Sequence, residues 1–164
     1  MPPLAKSIVR QHKVHERKLN VAPADAGKVF WVGAYLVREA ATGLAIPGVD
    51  AAGVKPLGVV VENEFDSLTG LAHLDNTLGA DGVLTGRTSE RVVKYDQTGE
   101  FAYAVTGAAT PKVQDPAYLV DDNTVTAVAP GVGQPSVNGI IAGHFTRPAP
   151  AGGWFIDISR RGIA

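Results

Sequence analysis

Residues 89–105 read Ser-Glu-Arg-Val-Val-Lys-Tyr-Asp-Gln-Thr-Gly-Glu-Phe-Ala-Tyr-Ala-Val. Arg91, Val93 and Tyr95 alternate with Val92 and Lys94, and Phe101, Tyr103 and Val105 alternate with Ala102 and Ala104. A period of two places alternate side chains on opposite faces of a strand. Asp96-Gln-Thr-Gly99 has turn composition, so the stretch predicts a β-hairpin with one apolar face and one small or polar face.

The same signals recur on both sides. Lys28–Val32 predicts a strand that Gly33 interrupts as a bulge or bend. Ala34–Arg38, a turn at Ala41-Thr-Gly43 and Leu44–Ile46 predict a strand–turn–strand unit. Pro56–Glu62 predicts a strand apolar on both faces, placed in a core or at a subunit contact. Val59, Val60 and Val61 are therefore candidate interface residues. A second hairpin is predicted from Ala117–Val120 and Thr124–Val128 about the turn Asp121-Asp-Asn123. Gly139–Thr146 and Trp154–Ile158 form a last pair, with Trp154, Ile156 and Ile158 on one face. About eight short strands separated by turns predict an all-β fold, a small antiparallel β-barrel or sandwich. No repeat of fixed period and no coiled-coil heptad is present.

Composition agrees. Of 164 residues 45% are hydrophobic and 19% charged, with 19 Gly, 11 Pro and no Cys. A chain of this length can bury a core without disulfides. Without Cys it has no thiolate nucleophile and no Cys-based zinc site. Residues 63–86 mix Gly, Asp and Asn with Leu68, Leu71, Leu74 and Leu78, and predict a long loop with at most a turn or two of helix.

The net charge is −1, but it is unevenly spread. Residues 1–20 carry Lys6, Arg10, Lys13, Arg17 and Lys18 against the single acid Glu16. They predict a basic arm ordered by a partner, leaving 21–164 as the β-body. The arm has no aromatic residue for base stacking, and the body is mildly acidic, which disfavours nucleic acid. Ile8, Val9 and Val14 favour a protein contact. No apolar run is long enough to span a membrane and no secretory h-region opens the chain, which predicts synthesis in the cytoplasm.

Catalytic constellations are missing from the text. None of Ser7, Ser67, Ser89, Ser136 and Ser159 sits in a nucleophile elbow. His12 and His15 lie in the arm without a metal-site pattern, and His73 lies in the long loop. His144, in a strand, reads as a partly buried or interface residue. Asp121-Asp122-Asn123 lacks the spaced ligands of a calcium loop, and turn chemistry accounts for it. Glu62, Glu64 and Asp66 read as a solvated strand edge that discourages unwanted pairing. The chain is expected to be no enzyme and to hold no metal or cofactor.

Several stretches resemble the capsid decoration, or cement, proteins of tailed phages. They are Gly33–Pro47, Pro56–Glu62, Asp115–Val125, Asn138–Gly143 and Gly153–Ile158, in the family's order. The resemblance implies a small β-barrel, assembled as a homotrimer, that binds the major capsid protein on the outer surface of the head and stabilises the shell. It implies no catalytic residues, no nucleic-acid partner and no membrane. In that reading Lys6, Ile8, Val9, Arg10, Lys13, Arg17 and Lys18 form a capsid-binding arm, and His144 joins Val59–Val61 as a subunit-interface candidate. The alternative is a β-sandwich module of a fibre or spike, binding a host surface or a sugar, with Trp31, Tyr35 and Trp154 available for stacking if exposed.

Overall fold

The computed structural model describes residues 20–25, 28–61, 65–66 and 91–163. Among the described residues, twelve strands fall into two six-stranded sheets. The first holds β1 (Asn20–Ala24), β2 (Tyr35–Arg38), β3 (Ala45–Pro47), β4 (Lys55–Val60), β5 (Phe65–Asp66) and β6 (Arg91–Asp96). Its order is β1-β3-β2-β4-β6-β5, and a further β1–β6 pairing closes β1, β3, β2, β4 and β6 into a barrel. The second holds β7 (Glu100–Thr106), β8 (Pro116–Asp121), β9 (Thr124–Thr126), β10 (Ile140–Pro148), β11 (Trp154–Asp157) and β12 (Gly162–Ile163), with a 3₁₀ turn at Ile158–Arg160. Here a β10–β11 pairing closes β7, β9, β8, β10 and β11. Closure removes the open edges that short strands otherwise expose.

The two barrels have the same connectivity and share their register except at a bulge in β8–β9, between Leu119 and Asp121, that β2–β3 lacks. In the first, β1 runs parallel to β3 with Ala24 opposite Ala45; in the second, β7 runs parallel to β9 with Val105 opposite Val125. Val37 faces Ile46 as Tyr118 faces Thr126. Leu36 faces Gly58 and Val37 faces Pro56, skipping Leu57; Ala117 faces Gly143 and Tyr118 faces Ile141, skipping Ala142. Val59 faces Asp96 as His144 faces Asp157. Asn20 faces Tyr95 as Phe101 faces Ile156. Even the turn before the second strand repeats. Gly33 donates to the Val60 carbonyl at 2.8 Å, and Gln114 to the Phe145 carbonyl at 2.8 Å. Gly33 has φ 93° and Gln114 has φ 75°, so a position that glycine fills freely in one barrel is held by a side chain in the other.

Alternation decides which side chains fill each barrel. Leu36, Leu57, Val60, Val93 and Tyr95 pack inside the first with Ala22, Ala24 and Ala45. Their register equivalents, Ala117, Ala142, Phe145, Trp154 and Ile156, with Tyr103, Val105 and Val125, pack inside the second. Where one barrel has a large residue the other often has a small one, so the interiors are filled by different jigsaws.

The outer wall of barrel one, Tyr35, Val37 and Val59 on β2 and β4, joins the core of barrel two. The Tyr35 hydroxyl donates to the Ala142 carbonyl and the Tyr103 hydroxyl to the Gly33 carbonyl, each at 3.0 Å. The two rings meet edge-on, with centroids 6.3 Å apart. The β8–β9 turn comes down on β2, where the Tyr35 N–H donates to the Asp122 carbonyl at 2.7 Å. Val49 bridges to Asp121 beside it.

Three expectations change. The strand pair read from 89–105 forms as β6 and β7, but they are not a hairpin: β6 pairs with β1, β4 and β5, and β7 with β9 and β11. Residues 97–99 are instead the link between the barrels. Alternation reports which face of a strand is buried, not which strand lies beside it. Lys28–Val32 is not a strand either. Phe30 is buried as a plug in barrel one, and the Trp31 carbonyl accepts from Ala34 in a turn. Finally, the architecture is repeated; the sequence shows no fixed period because the connecting loops differ in length. The β3–β4 connection is 48–54, whereas the β9–β10 connection is 127–139. The predicted β8–β9 hairpin and β10–β11 pair are both present.

Candidate interaction surface

The arm residues Lys6, Ile8, Val9, Arg10, Lys13, Arg17 and Lys18 lie outside the described residues. So do His12, His15, His73, Glu62, Glu64 and most of the 63–86 loop, in which only Phe65–Asp66 is described, paired with β6. Asn20, the last residue of the predicted arm, is the first of β1.

The valines read as interface candidates occupy three environments. Val60 is inside barrel one and Val59 is between the barrels, both with essentially no exposure. Val61 is half-buried just beyond β4. The two apolar faces of this strand therefore serve two layers of the chain's own interior. His144 sits at the position in β10 that Val59 holds in β4. It is half-buried on the outer wall of barrel two, and its Nδ1 is enclosed without a hydrogen-bond partner.

Around His144 the wall of barrel two is made by Pro116, Tyr118 and Ile141, all half-buried. Pro116 is opposite His144 and Tyr118 opposite Ile141, so the four form one patch across β8 and β10. Asp157 lies across the β10–β11 pair from His144. Burial raises the Asp157 carboxyl, but donations from the Ser159 hydroxyl and N–H, with Arg160 and His144 nearby, outweigh it and hold the group below its ordinary value.

Asp121-Asp122-Asn123 is a turn whose oxygens are engaged both within the turn and by neighbouring strands. Asp121 Oδ1 accepts from the Asn123 N–H at 3.0 Å, and the Asp122 carbonyl takes the Tyr35 N–H. Burial, then the neighbouring Asp121, push the Asp122 carboxyl up. A shallow groove of about 420 Å³ beside this turn is lined by Ala104, Val105, Thr106, Val120, Asp121 and Thr124. Asp121 is its one ionisable side chain, so the groove brings together no acid–base pair. Among the described residues no group of three or more His, Asp or Glu is placed to hold a metal ion. No described helix is long and apolar enough to cross a membrane.

Of the aromatic residues considered for sugar stacking, Tyr35 is fully buried between the barrels. Trp154 is half-buried, edge-on to Phe145 at 5.8 Å, and Trp31 packs against the core of barrel one. Sequence reasoning missed Asp50. Its carboxylate accepts the N–H groups of Val137 and Asn138, tying the β3–β4 loop of one barrel to the β9–β10 loop of the other. An acid between Val49 and a small-residue turn carries no local sign of so distant a partner.

No family model matches this chain, and no curated protein matches it. Among solved structures the chain is similar to a chain of the structure described as "The capsid of Myoviridae Phage XM1". The match has a TM-score of 0.51 at 15% identity, and covers 98% of this chain and 95% of that one. At this identity the likeness establishes the fold: the two-barrel arrangement as a whole, and not one barrel alone, has a counterpart.

Proposed function

We propose that this chain is a bacteriophage capsid decoration protein, a non-catalytic cement that binds the outer surface of the head as a homotrimer and stabilises the shell. The observation that carries the reading is the end-to-end likeness to a chain described as part of a phage capsid. The family resemblance of Asp115–Val125, Asn138–Gly143 and Gly153–Ile158 points the same way. A decoration protein works through many modest contacts repeated around a shell, so avidity replaces a deep binding site. The described surface suits this: a shallow groove, a half-open wall at His144, and exposed Val113, Val132 and Val137 on loops. The basic arm of 1–19 would reach neighbouring subunits of the major capsid protein.

The test is occupancy. Heads lacking the protein are incubated with it, washed, and the bound copies counted by quantitative mass spectrometry. A count approaching that of the shell protein, with heads that release DNA at higher temperature, is expected. A few copies per head would indicate a fibre or spike component, and no retention would overturn the reading. Removing residues 1–19 leaves β1 whole, so the truncated chain should keep its fold and lose its retention on heads.

A further inference from the structure

The repeat makes one surface stand out. In barrel one the outer wall of β2 and β4 carries Tyr35, Val37, Pro56 and Val59. The register equivalents in barrel two are Pro116, Tyr118, Ile141 and His144. Tyr35, Val37 and Val59 are each 0% exposed because barrel two covers them. The second wall is half-open, with nothing from the described chain seated on it as barrel two is seated on the first.

We propose that the β8–β10 wall of barrel two is the docking site for a second copy of this chain, whose barrel one sits on it as barrel two sits on the first wall within the chain. The register names the occupying element. Within the chain, the β8–β9 turn at Asp121–Asn123 lands on Tyr35. Its counterpart is the β2–β3 turn, whose Ala40, Ala41, Thr42 and Gly43 are all exposed. That turn of one copy meets Pro116, Tyr118 and His144 of the next. The contact is heterologous, so successive copies close into a ring when the rotation permits.

The substitutions between the two walls set its strength. Pro116 has no N–H to offer where Tyr35 donates to Asp122, so one inter-barrel hydrogen bond has no counterpart. Tyr118 and His144 replace Val37 and Val59 with amphipathic residues that tolerate water in the free chain and pack when covered. A contact weaker than the internal one, reversible and concentration-dependent, follows. The inference deepens the homotrimer reading, resting on it for the number of copies alone and on the register for the faces.

Because the chain has no Cys, the contact can be trapped. The full chain carrying Thr42→Cys and Tyr118→Cys is oxidised and run on a denaturing gel, beside Tyr118→Cys paired with Thr98→Cys, a residue on the link between the barrels. Sedimentation velocity follows the wild-type chain and the variants Tyr118→Arg and His144→Glu, with circular dichroism to confirm folding. Expected are wild-type oligomers that dissociate on dilution, at least tenfold weaker association in both variants, and intermolecular disulfides from the Thr42/Tyr118 pair only. Wild-type oligomers that both variants retain, with no disulfides from that pair, would overturn this face while leaving a homotrimer standing. A chain that sediments as a monomer at all concentrations and gives no cross-link would overturn both. If a variant fails to fold, the cross-linking result decides.

Discussion

Gly58 and Gly143 occupy the same place in the two barrels, each beside the skipped residue of a bulge. A Cβ at Gly58 would run into the Asp96 carbonyl, and one at Gly143 into the Asp157 carbonyl. Both obstacles are backbone in a closed ladder, which cannot swing aside as a side chain can. Gly143→Ala should therefore cost about 3 kcal/mol or more in urea unfolding. Gly152→Ala is the comparison: it has φ 92° but open space around it, so it should cost only the backbone strain of about 1–2 kcal/mol. The sequence shows Gly58 only as a small residue inside Pro56–Glu62, because the carbonyl it must clear belongs to β6. A second residue-scale effect is electrostatic. The Asp122 carboxyl is raised in the folded chain, first by burial and then by Asp121. A raised carboxyl binds its proton more tightly when folded than when unfolded. Its contribution to stability therefore falls as pH rises from the ordinary carboxylate range through the raised value. Asp122→Asn should raise the melting temperature at pH 7 and leave it nearly unchanged at pH 3. An equal gain at both pH values would count against charge burial as the cause.

At the scale of elements, β6 and β7 show what alternation does and does not encode. Val93 and Tyr95 point into one barrel, and Phe101 and Tyr103 into the other, so the buried faces read from sequence are the observed ones. The partner of each strand is set by residues far along the chain, and a short polar link looks the same whether it turns a hairpin or joins two barrels. That link is held from elsewhere: Arg161 donates to the Gln97 carbonyl at 2.7 Å, and Ile158 to the Gly99 carbonyl at 3.0 Å. By contrast β8 and β9 pair with each other, so their hairpin was legible from the turn residues alone. Across the junction Tyr35 and Tyr103 each send a hydroxyl to a carbonyl of the opposite barrel. Neither hydroxyl ionises in the accessible range, since burial drives both well upward. Tyr35→Phe and Tyr103→Phe keep the edge-on ring pair and leave one buried carbonyl short of a partner. Each should cost about 1–2 kcal/mol by denaturant unfolding. Because the two rings touch, the double variant should depart from additivity, and a strictly additive result would mean that the two bonds act independently.

For the whole molecule, the repeat explains both what the sequence discloses and what it hides. Ala-Tyr-Leu-Val occurs at 34–37 and again at 117–120. The structure aligns Val37 with Tyr118, however, so the repeated letters lie two residues out of register. A slip of two preserves the face, which lets sequence similarity persist without marking the structural repeat. Unequal loops remove any fixed period. His144 reads in the sequence as one amphipathic residue in an apolar strand, and only the register shows that Val59 is its counterpart in the other barrel. The same geometry dictates how the molecule unfolds. The outer wall of barrel one, with Ile46 and Val54, belongs to one continuous core with the interior of barrel two. Barrel two therefore cannot open without exposing that wall, nor barrel one without uncovering the Tyr103 side of its neighbour. Calorimetry of the full chain should give a single transition with equal calorimetric and van't Hoff enthalpies. Tyr35→Ala removes a ring and a hydroxyl from the junction while leaving the interior of barrel one intact. It should cost about 3–5 kcal/mol and separate the melt into two transitions. Two transitions in the wild-type chain would show that the barrels fold as independent units, and that the shared core is too small to couple them.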